Sequence, residues 1–174
     1  MVIIDPPRAD IASSSLTRFV RRAQKLADVT GQVEVLITGS RKMRELNRRF
    51  RGKDKPTDVL SFPRTDGVGG DIAIAAPVAA GNAARFGHSI TAELKILILH
   101  GMLHLAGYDH EQDNGRMAAK ESQLRAQFRL PIALIERRNS GQKGLAVAVD
   151  LAKGQRPGAR GPRAQARAGS RQPS

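Results

Sequence analysis

Apolar positions recur along the chain with two periods, and these divide it into elements. Val2 to Ile4 reads as a short strand. Leu16, Phe19, Val20, Ala23 and Leu26 recur at helical spacing behind three possible caps, Ser13, Ser14 and Ser15, and predict a helix to about Asp28. Between Gln32 and Thr38 the residues alternate, with Val33, Val35 and Ile37 on one face, the pattern of a half-buried strand. Gly39-Ser40 opens a second helix whose buried stripe is Met43, Leu46 and Phe50. A polar loop, residues 51–58, leads to a strand Val59–Phe62 closed by Pro63. After a glycine-rich stretch at 64–69, Asp71–Ala75 forms another strand, and Pro77 begins a short helix to about Phe86.

The segment from Ile90 to Ala106 is apolar around nearly its whole circumference, which predicts a buried central helix. Asn114-Gly115 opens a further helix with the stripe Met117, Glu121, Leu124 and Phe128, and Pro131 restarts a short one to Ile135. A carboxylate on an apolar line is unusual. Glu121 either reaches a buried cation or the back of a ligating imidazole, or sits at the edge of the stripe.

Three of the four histidines fall within the central segment and the turn after it. His100 and His104 stand four apart, so a helix projects both from one face, one turn above the other. Gly107 stands where that helix would end, because glycine adopts the left-handed conformation cheaply, and a chain turning there can bring His110 back to the same point. Three neutral imidazoles with a fourth position open are the ligand set of a catalytic zinc site, so one Zn2+ is expected. Nickel, cobalt and copper also accept imidazoles. The spacing H-x3-H-x5-H resembles the long zinc signature of metzincin proteases at every histidine and at the glycine. Those enzymes carry a glutamate general base directly after the first histidine, and here that residue is Gly101. A peptidase without its base is disfavoured. The remaining histidine, His88, lies in a predicted turn, Gly87-His88-Ser89, and reads as a turn or cap residue.

Composition narrows the picture further. The chain has 174 residues and no cysteine, which excludes disulfides and thiolate metal sites. No signal peptide or spanning segment is evident, so the expected location is cytoplasmic, with no membrane partner. Net charge is +13, which favours a polyanionic partner. From Gly141 onward the chain carries +6, leaving +7 for the body. After Leu151 almost nothing can be buried. Residues 1–137 therefore read as one domain and 138–174 as a basic, disordered tail suited to salt-sensitive attraction to RNA. Aromatic residues are only 3% of the chain, too few for a broad base-stacking platform, and Phe62 and Tyr108 could stack a base or two or belong to the core.

The loop Arg51-Gly52-Lys53-Asp54-Lys55-Pro56-Thr57-Asp58-Val59-Leu60-Ser61-Phe62-Pro63, then Gly70-Asp71-Ile72, then the block from His100 to His110 resemble the YbeY family of bacterial single-strand-specific endoribonucleases. Met117 with Glu121 matches that family's M-x-x-x-E as well. The resemblance covers residues 1–137. It implies an α+β fold, a small mixed sheet of about four strands flanked by five or six helices, with a zincin-like metal helix. It implies a zinc-dependent endoribonuclease acting in ribosomal RNA maturation, at the 3′ end of small-subunit RNA, and in ribosome quality control. Its partners would be single-stranded RNA and the small ribosomal subunit. His100, His104 and His110 would hold the zinc, and Arg51 would serve RNA cleavage. Lys53 and Lys55 would contact RNA. Asp109 would orient an imidazole or shuttle a proton, and Glu121 would stand behind a ligand. The competing classes are another metallohydrolase, such as a peptidase, and a non-catalytic ribosome-binding factor in which the metal only clamps two segments.

Overall fold

The computed structural model describes residues 1–65, 67–110, 112–131 and 147–148. In chain order the elements are β1 (Val2–Asp5), α1 (Ser13–Leu26), β2 (Val33–Thr38), α2 (Ser40–Arg51), β3 (Val59–Pro63), β4 (Gly70–Ala75), α3 (Ala76–Phe86), α4 (Ile90–Leu105), α5 (Arg116–Phe128) and β5 (Val147–Ala148). The sheet order is β1-β2-β4-β3-β5. β1, β2 and β4 run parallel, β3 is antiparallel to β4, and β5 is parallel to β3. Among the described residues this is the expected α+β arrangement of a mixed sheet with five helices, the sheet having five strands where about four were expected.

Strand alternation sends side chains to two cores. Val33, Val35, Ile37, Val59, Ile72 and Ile74 join the larger core with α1, α4 and α5. Leu60, Phe62, Ala73 and Ala75 join a smaller one with Met43, Leu46 and Phe50 of α2. An apolar groove of about 380 Å³ opens on that second face, lined by Ile3, Leu36 and Phe50 with Glu34 and Asp71 beside them. The sheet separates it from α4.

Three expectations change. The serines proposed as caps lie inside α1, whose N-cap is Ala12 with no side-chain bond. Across the first turn the Thr17 hydroxyl donates back to the Ser13 carbonyl at 2.9 Å, and the first N–H groups are left uncapped by any side chain. α1 also stops at Leu26, because Asp28 takes a left-handed backbone, φ 56°. Within the segment read as a disordered tail, Val147 and Ala148 pair with Leu60 and Ser61. The outer edge of β3 offers unpaired N–H and C=O groups, and an apolar stretch with a β-branched residue satisfies them. The other residues of the tail, and the short helix expected from Pro131 to Ile135 beyond its first residue, lie outside the described residues.

α4 is the organising element. Twelve of its sixteen residues are buried, and it packs on β3 and β4 on one side and on α1, α3 and α5 on others. Ser89 caps it, its hydroxyl accepting from the Ala92 N–H at 3.1 Å.

Candidate metal centre

α4 ends at a turn that carries chemistry. Gly107 has φ 85°, the Tyr108 N–H reaches the Leu103 carbonyl at 3.0 Å, and the Gly107 N–H reaches the His104 carbonyl at 3.0 Å. That pair of bonds closes a Schellman turn, which reverses the chain. The reversal brings the Tyr108 carbonyl to His104 Nδ1 at 2.9 Å and His110 beside the two helical histidines. A second turn holds the next residues, the Asp109 carbonyl accepting from the Gln112 and Asp113 N–H groups. The Asp113 carboxylate then accepts from Gly115 and Met117 at the start of α5.

His100, His104 and His110 converge. One nitrogen of each lies within 4.8 Å of the others. His100 and His104 are buried and His110 is half-buried. His100 Nδ1 stands 3.0 Å from Glu121 Oε1. Both Glu121 and His100 are buried, because α5 lays its stripe against α4. Glu121 is therefore buried against the His100 ring and does not sit at the edge of the stripe.

These hydrogen bonds test whether the site suits a metal ion. A carbonyl oxygen can only accept, so His104 Nδ1 carries its proton toward Tyr108. The Glu121 carboxylate likewise holds the proton on His100 Nδ1. In the neutral rings both Nε2 atoms then present lone pairs, and they face each other at 3.2 Å. Two lone pairs at that distance repel, and a cation between them converts the repulsion into two bonds. Imidazole nitrogens on a tetrahedral zinc ion stand roughly 3.3 Å apart, given Zn–N bonds of about 2.0–2.1 Å. The donor set therefore fits a divalent ion bound by three imidazoles.

Gly101 proves to be a packing residue. A Cβ there would lie 2.9 Å from Ser61 Oγ and 3.0 Å from Ile72 Cγ2. That side of α4 is pressed on the sheet, so a glutamate at the metzincin base position would collide with β3 and β4.

The other candidates are dispersed. Arg51 ends α2 and is half-buried, and it makes no hydrogen bond or ion pair among the described residues. Lys53 and Lys55 are exposed on the loop that follows. That loop is held in shape. Gly52 is left-handed at φ 67°, Arg44 forks onto Asp54, and buried Asn47 donates to the Lys55 carbonyl at 2.7 Å. Asp109 lies half-buried in the turn before His110. Phe62 is buried edge-on against Phe50, so it belongs to the core. His88 is also paired internally, its Nε2 3.2 Å from Glu93 Oε2.

Asp58 escaped the sequence reading. It is 2% exposed at the start of β3. Burial pushes its carboxyl above the usual carboxylate range, against the Val59 N–H, the charge of His100 and the Thr57 hydroxyl. A lone aspartate ahead of a strand carries no periodic signal. Asn47 could have been found, because it shares the apolar line of Met43 and Phe50 on α2.

Comparison with known proteins agrees with this arrangement. The family model described as Endoribonuclease YbeY matches residues 6–129. An Endoribonuclease YbeY from Koribacter versatilis is 56% identical over 138 residues, covering 79% of this chain and 91% of that protein. One from Solibacter usitatus is 49% identical over 129 residues, covering 74% and 88%. The solution structure of TM1509 from Thermotoga maritima superposes with a TM-score of 0.51 at 30% identity, covering 74% of this chain and 92% of that one.

Proposed function

The chain belongs to the YbeY family, and from that premise we propose that it is a metal-dependent endoribonuclease that cuts single-stranded RNA by hydrolysis or transesterification at a phosphodiester. The observation that carries the reading is the pair of Nε2 atoms facing each other at 3.2 Å, each held in its tautomer from behind. The metal is proposed to be zinc, held by His100, His104 and His110. When bound it would polarise a phosphoryl oxygen and lower the pKa of water to about 7.

The chain's own residues supply the rest. Glu121 and the Tyr108 carbonyl keep the protons of His100 and His104 on Nδ1. Arg51, with no partner in the protein among the described residues, can fork onto two phosphoryl oxygens as charge builds at phosphorus. Lys53 and Lys55, exposed on the braced loop, attract the backbone. With Phe62 in the core, base stacking contributes little, so recognition runs through backbone charge and single-stranded shape. Within the cell the substrate we propose is ribosomal RNA near the 3′ end of the small-subunit molecule, on the small subunit, in maturation and quality control. The polyanion preference of a +13 chain supports an RNA partner. Among the described residues no helix is long and apolar enough to cross a membrane.

The deciding experiment is metal analysis of the purified protein together with cleavage of single-stranded RNA with and without chelator. Chelator-sensitive cleavage supports the reading. A metal-loaded protein inert on RNA defeats it. A 2′,3′-cyclic phosphate product assigns the attack to the RNA 2′-hydroxyl and excludes direct hydrolysis by water. Arg51→Lys is expected to keep RNA affinity within a few-fold and to lose about 100-fold in turnover, because an ammonium cannot reproduce the bidentate contact.

A further inference from the structure

α2 carries six cations and one carboxylate in its twelve residues. Its inward line is Met43, Leu46, Asn47 and Phe50, turned to the smaller core. On the outer side Arg41, Arg44, Arg48 and Arg51 recur at spacings of three and four, which sets them in one row along the helix. The first three are exposed and Arg51 is half-buried. The acids beside the row are already taken up. Glu45 pairs with Lys42 at 3.3 Å on the other flank, and Arg44 forks onto Asp54. Arg41, Arg48 and Arg51 make no hydrogen bond or ion pair among the described residues.

The row is unfavourable by local rules. Like charges at these spacings repel. Arg41 and Lys42 also stand in the first turn, at the positive end of the helix dipole, with no acidic residue and no side-chain cap to balance them. Helix energetics favour acids there, so the reason for the row lies outside the helix. From Arg41 to Arg51 it runs about 15 Å along the axis. A stacked strand advances about 3.4 Å per nucleotide, so the row can follow roughly four phosphates. The next loop folds back beside it, the Lys53 N–H donating to the Asn47 carbonyl at 3.3 Å and Asn47 donating to the Lys55 carbonyl at 2.7 Å.

We propose that the outer row of α2 is a phosphate track for the RNA strand flanking the cut, with Arg51 at the end nearest the reaction and Arg41 at the far end. The inference rests on the endoribonuclease reading. Arg41 and Arg48 hold flanking nucleotides and leave the reacting phosphate to Arg51. Contacts to the backbone alone carry no base information, so the track accepts any sequence. α1 has exposed cations as well, Arg21 and Lys25, but it packs on the larger core and leads to no residue proposed to act at phosphorus.

The test uses the full chain, metal-loaded, as wild type, Arg41→Gln/Arg48→Gln, Arg41→Lys/Arg48→Lys and the α1 control Arg21→Gln/Lys25→Gln. Each is assayed on single-stranded RNAs of about four and about twelve nucleotides over a range of salt. On the longer RNA the α2 glutamine variant is expected to raise KM about tenfold with kcat within about threefold, and to lower the slope of log KM against log salt by about 1.4, two phosphates at about 0.7 each. The tighter binding that wild type gains from the longer RNA should largely vanish. The lysine variant is expected to return KM to within about threefold of wild type, because a point charge suffices where no bidentate geometry is needed. Wild-type KM and salt slope in the α2 glutamine variant, with wild type cutting RNA, would overturn the track and leave the endoribonuclease reading intact. So would an equal loss in the α1 control, the mark of net charge alone. A wild type that neither binds nor cuts single-stranded RNA takes both readings down.

Discussion

Two histidine–carboxylate pairs are tied to the same helix, and they are wired in opposite ways. Near the N-terminus of α4, His88 turns Nε2 to Glu93 at 3.2 Å and Nδ1 to the Ser89 carbonyl at 3.2 Å. Its ring stacks against Phe86 with centroids 6.3 Å apart. Both nitrogens are spent on acceptors. Toward the C-terminus, His100 turns Nδ1 to Glu121 at 3.0 Å and leaves Nε2 aimed at a second imidazole. Both pairs lie within hydrogen-bond distance and both carboxylates are buried. The lesson is that burial and a carboxylate partner do not make a histidine a ligand. A ligand needs its second nitrogen free and pointed at others of its kind.

The largest effect that would sharpen this contrast is loss of a ligand. His100→Ala is expected to abolish metal binding and to reduce RNA cleavage by 1,000-fold or more, measured by metal content and initial rates. His88→Ala should leave metal content and kcat near wild type. Equal metal loss in both variants would erase the distinction.

Glu121→Gln tests the wiring itself. The amide can still accept from His100 Nδ1, but it no longer reinforces the imidazole with charge. Metal affinity is expected to fall about 10- to 100-fold while three ligands remain, read by competition with a chelator. An unchanged affinity would reduce Glu121 to a packing residue.

A smaller effect is expected from His88→Ala on stability alone, about 1–3 kcal/mol in denaturant unfolding, for one lost buried hydrogen-bond partner of Glu93. The smallest concerns Asp71, beside the groove on the far face of the sheet. Desolvation raises its pKa, Arg64 opposes this, and Glu34 adds to it. The folded chain therefore holds this proton more tightly than the unfolded chain does. The contribution is fully present below the ordinary carboxylate value and is lost as pH rises through the raised one. Asp71→Asn should flatten that part of the Tm–pH curve slightly and leave metal binding untouched.

Much of the fold was legible because periodicity reports burial directly. Alternation at Val33, Val35 and Ile37, and the uninterrupted apolar run of α4, each met the core they implied. The boundary errors arose where a backbone or side-chain preference met a tertiary alternative. Ser13 to Ser15 are good caps in isolation, yet the chain entered α1 one residue earlier. Val147-Ala148 lies in a short apolar stretch inside a basic segment and pairs with a strand edge.

The linear order by itself determined the helix that carries His100 and His104 and the glycine at which it ends, because both follow from local geometry. It also determined which faces of β2, α1 and α2 are buried, through periods of two and 3.6, whereas the division into two cores appeared only in the fold. What only the tertiary structure decided is which polar atoms are enclosed and which are left to act. Glu121 reaches His100 because α5 folds onto α4, Gly101 is barred to a base because α4 lies on β3, and Asp58 is buried because the loop is tied to β4. Each is a contact between residues far apart along the chain, set by packing, and no local pattern encodes it.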